Sequence, residues 1–316
     1  MQKPRCLPHQ TDRLFLTDGG IETWLMYTKG FELPHFSDFQ LLDDVVGREA
    51  LRQYYREFAL IARQQNTGYV FCSLTYRASR DWGQLLGFSE EGLAEMNHKA
   101  IAFYREIAGE VGLDPASTLY SGCIGPRGDA YQTNPTITAA SAEDYHSGQI
   151  ETLRKAGVDL VTALTLNSTE EAIGIARAAQ AADVPSTISF TLDKSRMVDG
   201  THTLRAAIED VDAATDGAPA YYMINCSHPI DFEPALDRGG WVRRIRGLRA
   251  NASSLEHGLL SQLNRLEEGD AMELATQHGD LARRYPHINV FGGCCGTDHV
   301  HVRKICEAVR RPPAAA

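Results

Sequence analysis

The sequence predicts a single-domain (β/α)8 barrel, and three observations support this fold class. Short apolar segments of strand length recur eight times along the 316-residue chain, and they commonly end in glycine, asparagine or serine. Segments with helical periodicity lie between them. Strands that alternate with helices form a parallel sheet, and barrels of this kind routinely reach this length as one domain. An open doubly wound sheet is the alternative, because the strand count alone does not exclude it.

The predicted strands are short apolar runs bounded by turn-forming residues. They are residues 14–18, 69–73, 118–122, 159–165, 186–191, 221–226, 244–250 and 288–292. The predicted helices carry apolar side chains at intervals of three and four residues. They are residues 49–65, 92–110, 141–156, 169–182, 203–215 and 270–285. Ser141 and Ser168 stand where an N-cap hydroxyl is needed, each with carboxylates in the turn that follows.

Composition and charge limit the class of protein. Hydrophobic residues make up 43% of the chain and charged residues 23%, as in a soluble globular protein with a large core. The net charge of −10 argues against nucleic acid or an anionic membrane as the main partner. No segment reaches the roughly 18–20 apolar residues of a membrane span, and no signal peptide is evident. We expect a cytoplasmic protein with a barrel at 12–310 and disordered tails at 1–11 and 311–316.

Three of the seven cysteines fall where the predicted barrel opens. The seven lack the regular short spacing of a disulfide framework, and a cytoplasmic protein keeps its thiols reduced. Cys226 ends the sixth predicted strand, and Cys294 and Cys295 follow the eighth within the stretch GGCCGT. The carboxyl ends of barrel strands meet at one mouth, where barrel enzymes carry their chemistry. The three thiols are therefore predicted to converge.

Three convergent thiolates can hold a zinc ion with its fourth tetrahedral position open, which is typical of a catalytic site. The glycines at 292, 293 and 296 allow the backbone angles that two neighbouring ligands require. Two other interpretations of GGCC are buried cysteines in a glycine-rich loop and a redox sensor or vicinal disulfide. The cysteine that ends another strand favours zinc. Zinc on three thiolates can hold an incoming thiol as a nucleophile, which suits alkyl transfer to sulfur.

At these residues the chain resembles the homocysteine S-methyltransferases, a family that includes betaine- and S-methylmethionine-dependent enzymes. The similarity runs from residue 17 to about residue 309. The motifs that carry it are DGGIET at 18–23, SLTYRAS at 73–79, GPRG at 125–128, INCSHP at 224–229 and GGCCGT at 292–297. The resemblance implies a barrel, a zinc cofactor on the three cysteines, and methyl transfer from a small sulfonium or quaternary ammonium donor to a thiol.

The resemblance also implies which small molecules and residues take part. The donor is of the S-methylmethionine, S-adenosylmethionine or betaine type, and the acceptor is homocysteine, which gives methionine. The substrate-binding residues implied are Asp18, Gly19, Gly20, Thr75, Tyr76 and Asn225. Trp24 and Tyr27 follow the first strand, where aromatic rings can hold a cationic donor, although packing is their commoner role.

The chain departs from the family at three places. Leu164 stands where a glutamate usually binds the amino group of homocysteine, Arg77 stands where glutamine is common, and residues 129–135 replace an alanine-rich segment. Loss of a charge-assisted contact costs about one to three kcal/mol, so another acid substitutes or a different thiol is the acceptor. The candidate acids are Glu22, Asp129, Glu170 and Glu171. A third hypothesis is a non-catalytic protein that uses the cysteines for zinc storage or thiol sensing.

Overall fold

Eight parallel strands close into a barrel in sequence order, and the first strand pairs with the eighth. The computed structural model describes residues 5–132, 136–255, 257–260, 263 and 265–310. The strands are β1 Phe15–Leu16, β2 Gly68–Phe71, β3 Thr118–Ile124, β4 Leu160–Leu166, β5 Ser186–Phe190, β6 Tyr221–Asn225, β7 Ile245–Ala250 and β8 Val290–Gly293. The predicted barrel is confirmed, the open sheet is excluded, and each predicted strand end lies within two residues of the observed one.

Helices lie between successive strands of the barrel. They are α1 Ile21–Thr23, α2 Val45–Gln64, α3 Arg80–Leu85, α4 Glu90–Val111, α5 Ala139–Lys155, α6 Thr169–Ala181, α7 Leu204–Thr215, α8 Pro229–Phe232, α9 His257–Leu260, α10 Ala271–Arg284 and α11 His299–Val309. The six predicted helices correspond to α2, α4, α5, α6, α7 and α10. None of the helices in the ranges given above is long and apolar enough to cross a membrane.

One of the two predicted helix caps is confirmed. The Ser168 hydroxyl accepts the Glu171 backbone N–H at 3.2 Å and caps α6. The prediction for Ser141 was wrong, because α5 begins two residues earlier and Thr138 is its N-cap. The Ser141 hydroxyl instead accepts the Thr138 backbone N–H at 3.0 Å, while its own N–H donates to the Thr138 hydroxyl at 3.2 Å. This reciprocal pair is a capping box, which satisfies two amide groups of the first turn.

The N-terminal segment closes the end of the barrel opposite the cysteines, so the predicted disorder of residues 1–11 does not hold for residues 5–11. Leu7 is 6% exposed and joins a buried cluster from the barrel strands. The cluster also contains Phe15, Val70, Leu119, Leu160, Tyr221, Met223 and Val290. The Asn289 side chain donates to the Pro8, Thr11 and Arg13 carbonyls at 2.8–2.9 Å. Residues 1–4 and 311–316 lie outside the described residues.

A buried histidine on α10 links the stability of the barrel to pH. The His278 side chain is fully buried, and its Nδ1 lies 2.8 Å from the Leu274 carbonyl oxygen. Burial lowers the pKa of His278 to about 4. The folded protein therefore keeps the ring neutral at a pH where the unfolded chain already binds a proton, since an exposed histidine titrates near 6.5. The stability that the neutral ring preserves is present above that pH and is lost as the pH falls toward 4.

Acidification should therefore destabilise the protein through this residue. Between pH 7 and pH 5 the free energy of unfolding should fall by about 2 kcal/mol on account of His278, at 1.36 kcal/mol per pKa unit. Urea denaturation at both pH values measures the fall. The matched variant is His278→Gln, which keeps an N–H donor and does not titrate. Between pH 7 and pH 5, the free energy of unfolding of this variant should fall less than that of the wild type, by about the same 2 kcal/mol. An equal fall in both proteins would show that His278 does not cause the pH dependence.

Candidate active site

A cavity of about 220 Å³ lies at the carboxyl ends of the strands. Cys226, Cys294 and Cys295 all line it, and their sulfur atoms lie within 4.8 Å of one another. The predicted convergence of the three thiols is confirmed. Two sulfurs bound to one zinc ion at about 2.3 Å stand about 3.8 Å apart in tetrahedral geometry. The three sulfurs are close enough for one such ion to reach all of them once the cysteines are reduced.

Two of these cysteines are joined in a disulfide. The structure pairs Cys226 with Cys294, while Cys295 is a free thiol. This corrects the prediction that the cysteines are all reduced thiols, and the reason is that β6 and the loop after β8 place the two Cα atoms 5.4 Å apart. Metal ligands must be thiolates, so the disulfide and a three-thiolate metal site are alternative states of the same side chains. Metal binding here requires the reduced protein.

Backbone geometry that is rare for L-residues brings the cysteines together. Cys226 has a φ of 54°, in the left-handed region, directly after β6. The loop after β8 lies very close to the loop after β1, which contains Gly20. A Cβ on Gly20 would lie 2.5 Å from the Cys294 carbonyl oxygen and 2.9 Å from the Cys295 Cα. Only glycine permits this approach. Non-glycine residues with strained backbone conformations, such as Cys226, are found most often at functional sites.

Asn225 holds the strand ends and faces one of the sulfurs. Its Oδ1 accepts the Thr165 backbone N–H at 2.8 Å and the Ser189 hydroxyl at 2.6 Å, and its Nδ2 donates to the Thr165 hydroxyl at 2.8 Å. Nδ2 also lies 3.9 Å from the Cys294 sulfur, and the Thr165 hydroxyl lies 3.7 Å from the Cys226 sulfur. Donors that point at a sulfur favour its thiolate form. The Asn225 amide is thus committed to positioning the cysteines, although it also lines the cavity.

Cys295, the free thiol of the cluster, ionises to a thiolate at neutral pH only with a cation beside it. Burial raises the pKa of Cys295 to about 12, and the nearby Glu22 carboxylate adds to the rise. At neutral pH this sulfur becomes a thiolate only when a positive charge is close. A bound metal ion supplies such a charge and deprotonates a coordinating thiol outright. A cation bound beside Cys295 would therefore be needed for this sulfur to act as a thiolate ligand at neutral pH.

A buried ion pair joins the end of β1 to β7 beside the cavity. The Asp18 side chain is fully buried, the Arg249 side chain is 3% exposed, and Arg249 Nη2 lies 2.6 Å from Asp18 Oδ1. The guanidinium also donates to the Gly19 and Gly293 carbonyls and to the Ser73 hydroxyl. Burial raises the pKa of Asp18, and the Arg249 charge opposes that rise. The pair fixes three loops around the mouth, and the sequence signals it only by an arginine inside an apolar strand.

The residues expected to bind substrate divide into two groups. Gly19, Gly20, Tyr76 and Asn225 line the cavity, and Asp18 and Thr75 are not among its lining residues. Asp18 forms the ion pair described above. Thr75 is buried, where its hydroxyl donates to the Cys123 carbonyl at 2.9 Å and accepts the Cys123 N–H at 2.8 Å. Thr75 therefore ties the loop after β2 to β3.

The aromatic side chains at the mouth are not those that the sequence singled out. Trp24 packs on Tyr54 with ring centroids 5.2 Å apart, and Tyr27 is exposed. Neither Trp24 nor Tyr27 is among the described residues that line the cavity. The aromatic lining consists of Phe36, Tyr76 and Tyr131. Phe36 and Tyr131 follow β1 and β3 at a distance, so periodicity in the sequence could not reveal their position.

The departures from the family pattern meet in this cavity. Leu164, Arg77, Glu22 and Asp129 all line it. The other two candidate acids are committed elsewhere. Glu170 accepts the Ala139 backbone N–H at 2.7 Å, in the first turn of α5. The remaining acid, at position 171, accepts a hydrogen bond from the buried His146 ring at 2.9 Å and from the backbone N–H of residue 127 at 2.7 Å.

Comparison with known proteins gives a family and a set of similar folds. The model of the family described as homocysteine S-methyltransferase matches residues 15–309. The metallated form of the homocysteine methyltransferase MmuM from Escherichia coli is 18% identical, with a TM-score of 0.71 over 94% of this chain and 96% of that chain. The oxidized form is 22% identical, with a TM-score of 0.73 over 96% and 99%. The chain has no significant match among curated protein sequences.

Proposed function

Because the chain belongs to the homocysteine S-methyltransferase family and is thus a methyltransferase, we propose that it methylates a thiol. The donor is a small sulfonium or quaternary ammonium compound, and the acceptor is homocysteine, which yields methionine. The observation that carries this proposal is the cluster of Cys226, Cys294 and Cys295, whose sulfurs lie within 4.8 Å of one another beside the cavity. A thiol that enters the cavity meets the three sulfurs directly.

We infer that the three cysteines hold zinc in the reduced protein. Soft thiolate ligands favour zinc over magnesium or calcium, and three protein ligands leave the fourth position open. An ion held by these three cysteines would supply the positive charge that keeps an acceptor thiol deprotonated near neutral pH. Asn225 and Thr165 support this arrangement, because each points a hydrogen-bond donor at a ligand sulfur.

The residues of the cavity would bind and orient the two substrates. The acceptor sulfur forms a bond to the methyl carbon, the bond between that carbon and the donor sulfur or nitrogen breaks, and its electron pair stays on the donor. The acceptor proton goes to solvent before the transfer. A cationic donor suits the rings of Phe36, Tyr76 and Tyr131 that line the cavity. Holding donor and acceptor in line supplies much of the rate enhancement in such a reaction.

A matrix of donors and acceptors tests the proposal. Reduced, zinc-loaded protein is incubated with S-methylmethionine, S-adenosylmethionine or betaine against homocysteine and a panel of other thiols, and products are identified by mass spectrometry. We expect methionine from homocysteine with one of the donors. Leu164 in the cavity wall favours a second candidate, a different thiol acceptor, which the panel would reveal. Zinc binding without transfer from any donor would support storage or sensing instead.

Zinc removal should abolish activity and leave the fold intact. The barrel buries a large core of its own and closes around all eight strands, whereas small zinc modules unfold without their ion. Chelation of the reduced protein should remove methyl transfer and leave the far-ultraviolet circular dichroism spectrum nearly unchanged. Adding back zinc should restore the activity. Cooperative unfolding on chelation would show that the ion is structural.

A further inference from the structure

Arg77 is a buried cation that lines the cavity and lacks a counter-ion. It is 7% exposed, and it forms no ion pair within the described ranges. Its guanidinium carbon lies 4.1 Å from the centroid of the Trp82 ring and 4.9 Å from that of Tyr76. Nη1 donates to the carbonyls of Pro126 and Gly128, while the buried Nε has no partner. Buried charges are normally paired, so this arginine is prepared for an anion that enters the cavity.

Glu22 is the complementary group on the same cavity. It lies on α1 and forms no ion pair with any residue that the structure describes. Burial raises its pKa to about 7, the Asp18 carboxylate adds to the rise, and the Arg249 and Arg77 charges oppose it. The same carboxylate contributes to the raised pKa of Cys295. Glu22 therefore lies within electrostatic reach of both the arginine and the cysteine cluster.

The other charged groups at the mouth already have partners. Asp18 and Arg249 neutralise each other across 2.6 Å. Asp129 is exposed, and its Oδ1 accepts the Tyr131 backbone N–H at 2.7 Å. Among the described charged side chains that line the cavity, Glu22, Asp129 and Arg77 form no ion pair, and Asp129 is exposed to solvent. Glu22 and Arg77 thus remain as one carboxylate and one guanidinium on a cavity whose third side is the apolar Leu164. This pattern complements a zwitterion with a short methylene chain and a thiol.

Building on the methyl transfer proposed above, we propose that Glu22 and Arg77 bind the two ends of an α-amino acid thiol. Glu22 accepts the ammonium group, and Arg77 receives the carboxylate with a charge-assisted hydrogen bond. Glu22 thereby binds the amino group in place of the glutamate that Leu164 replaces. A thiol that carries only a carboxylate leaves Glu22 unpaired, and a thiol that carries only an amine leaves Arg77 unpaired.

Trimmed acceptors separate the two contacts. The probes are homocysteine, 4-mercaptobutyrate, which lacks the amine, and 3-aminopropanethiol, which lacks the carboxylate. Glu22→Gln should lower kcat/KM about ten- to a hundredfold for homocysteine and 3-aminopropanethiol, and leave 4-mercaptobutyrate nearly unchanged. Arg77→Gln should lower it by a similar factor for homocysteine and 4-mercaptobutyrate only. Glu170→Gln is the matched control, because Glu170 is not among the cavity's lining residues and its carboxylate accepts the Ala139 backbone N–H. It should change none of the three by more than about threefold.

A second carboxylate at position 164 provides a rescue experiment. In the Glu22→Gln protein, Leu164→Glu should restore a large part of the lost activity on homocysteine, because it returns a carboxylate to the cavity. In the wild-type protein the same substitution should gain little. Two carboxylates would then share one amine, and one of them would tend to stay protonated. A tenfold gain from Leu164→Glu alone would mean that Glu22 does not bind the amine.

Binding measurements keep the proposal testable apart from catalysis. Calorimetry gives the affinity of reduced, zinc-loaded protein for each thiol, and circular dichroism checks that each variant is folded. If Arg77→Gln fails to fold, Arg77→Lys retains a cation and should keep a preference for the thiols with a carboxylate. Equal losses on all three thiols, or none, would overturn the assignment of Glu22 and Arg77. Selective losses in binding without methyl transfer would instead overturn the proposed function and leave this assignment standing.

Discussion

Replacing Cys226 with alanine is expected to remove both zinc and methyl transfer. Zinc needs three protein ligands here, and the variant retains only Cys294 and Cys295, which come from one loop. The substitution also leaves the Thr165 hydroxyl without the Cys226 sulfur that it faces. Reduced wild-type protein should contain near-stoichiometric zinc by elemental analysis, and the variant should contain little. Methyl transfer should fall below detection, because the acceptor thiol is then no longer activated.

A cysteine outside the cluster supplies the control for this experiment. Cys306 is a buried free thiol on α11 and is not among the residues that line the cavity, so Cys306→Ala makes the same chemical change outside the cluster. It should retain zinc and activity. Cys294→Ala and Cys295→Ala should each behave like Cys226→Ala. Full zinc retention in Cys226→Ala would refute the three-cysteine site, whatever its activity.

Removing the buried arginine of β7 is expected to cause the largest loss of stability. Arg249→Met leaves the Asp18 carboxylate fully buried without its partner. Breaking a buried pair in this way costs about 3–5 kcal/mol, because an uncompensated charge remains in the interior. The three loops that the guanidinium joins also lose their shared donor. Urea denaturation of the reduced protein measures the change in the free energy of unfolding.

Two further variants separate the charge from the packing of the side chain. Asp18→Asn combined with Arg249→Met removes both charges and should recover part of the loss, because no unpaired ion is left. Arg246→Met changes the other arginine near the middle of β7, which donates to the His287 and His9 carbonyls and forms no ion pair in the described part of the chain. Its effect should be clearly smaller. A loss in Arg249→Met no larger than that in Arg246→Met would contradict the role of the pair.

The fold was predictable because its strands are local features of the sequence. Each buried strand is a short apolar run between turn-forming residues, so its position can be read without knowledge of its neighbours. The cap of α5 was mispredicted for a related reason, since Thr138 and Ser141 are both good capping residues three positions apart. The packing of residues 5–11 was missed because it depends on Asn289, at the other end of the chain.

The cysteine cluster was predictable from barrel geometry alone, and much of its surroundings was not. Strand ends meet at one mouth, so three strand-end cysteines must approach one another. The disulfide between Cys226 and Cys294 depends on a Cα separation that spacing along the chain does not encode. The partner of Arg249 lies 231 residues away, at Asp18. Comparison with the family did single out Leu164 and Arg77, because a changed residue type at a motif position is visible in the sequence.

The N-terminal segment also bears on how the substrates of the proposed reaction would reach the cavity. Leu7 and the strand residues packed around it close one end of the barrel, so passage along the barrel axis is blocked there. In the proposed reaction, donor, acceptor and both products would share the opening beside the cysteines. The substrate bound deeper has to enter first, and the product formed from it has to leave last. For the proposed methyl transfer we therefore expect an ordered mechanism, in which the last product to depart competes with the first substrate for the empty enzyme; product-inhibition patterns measure this order.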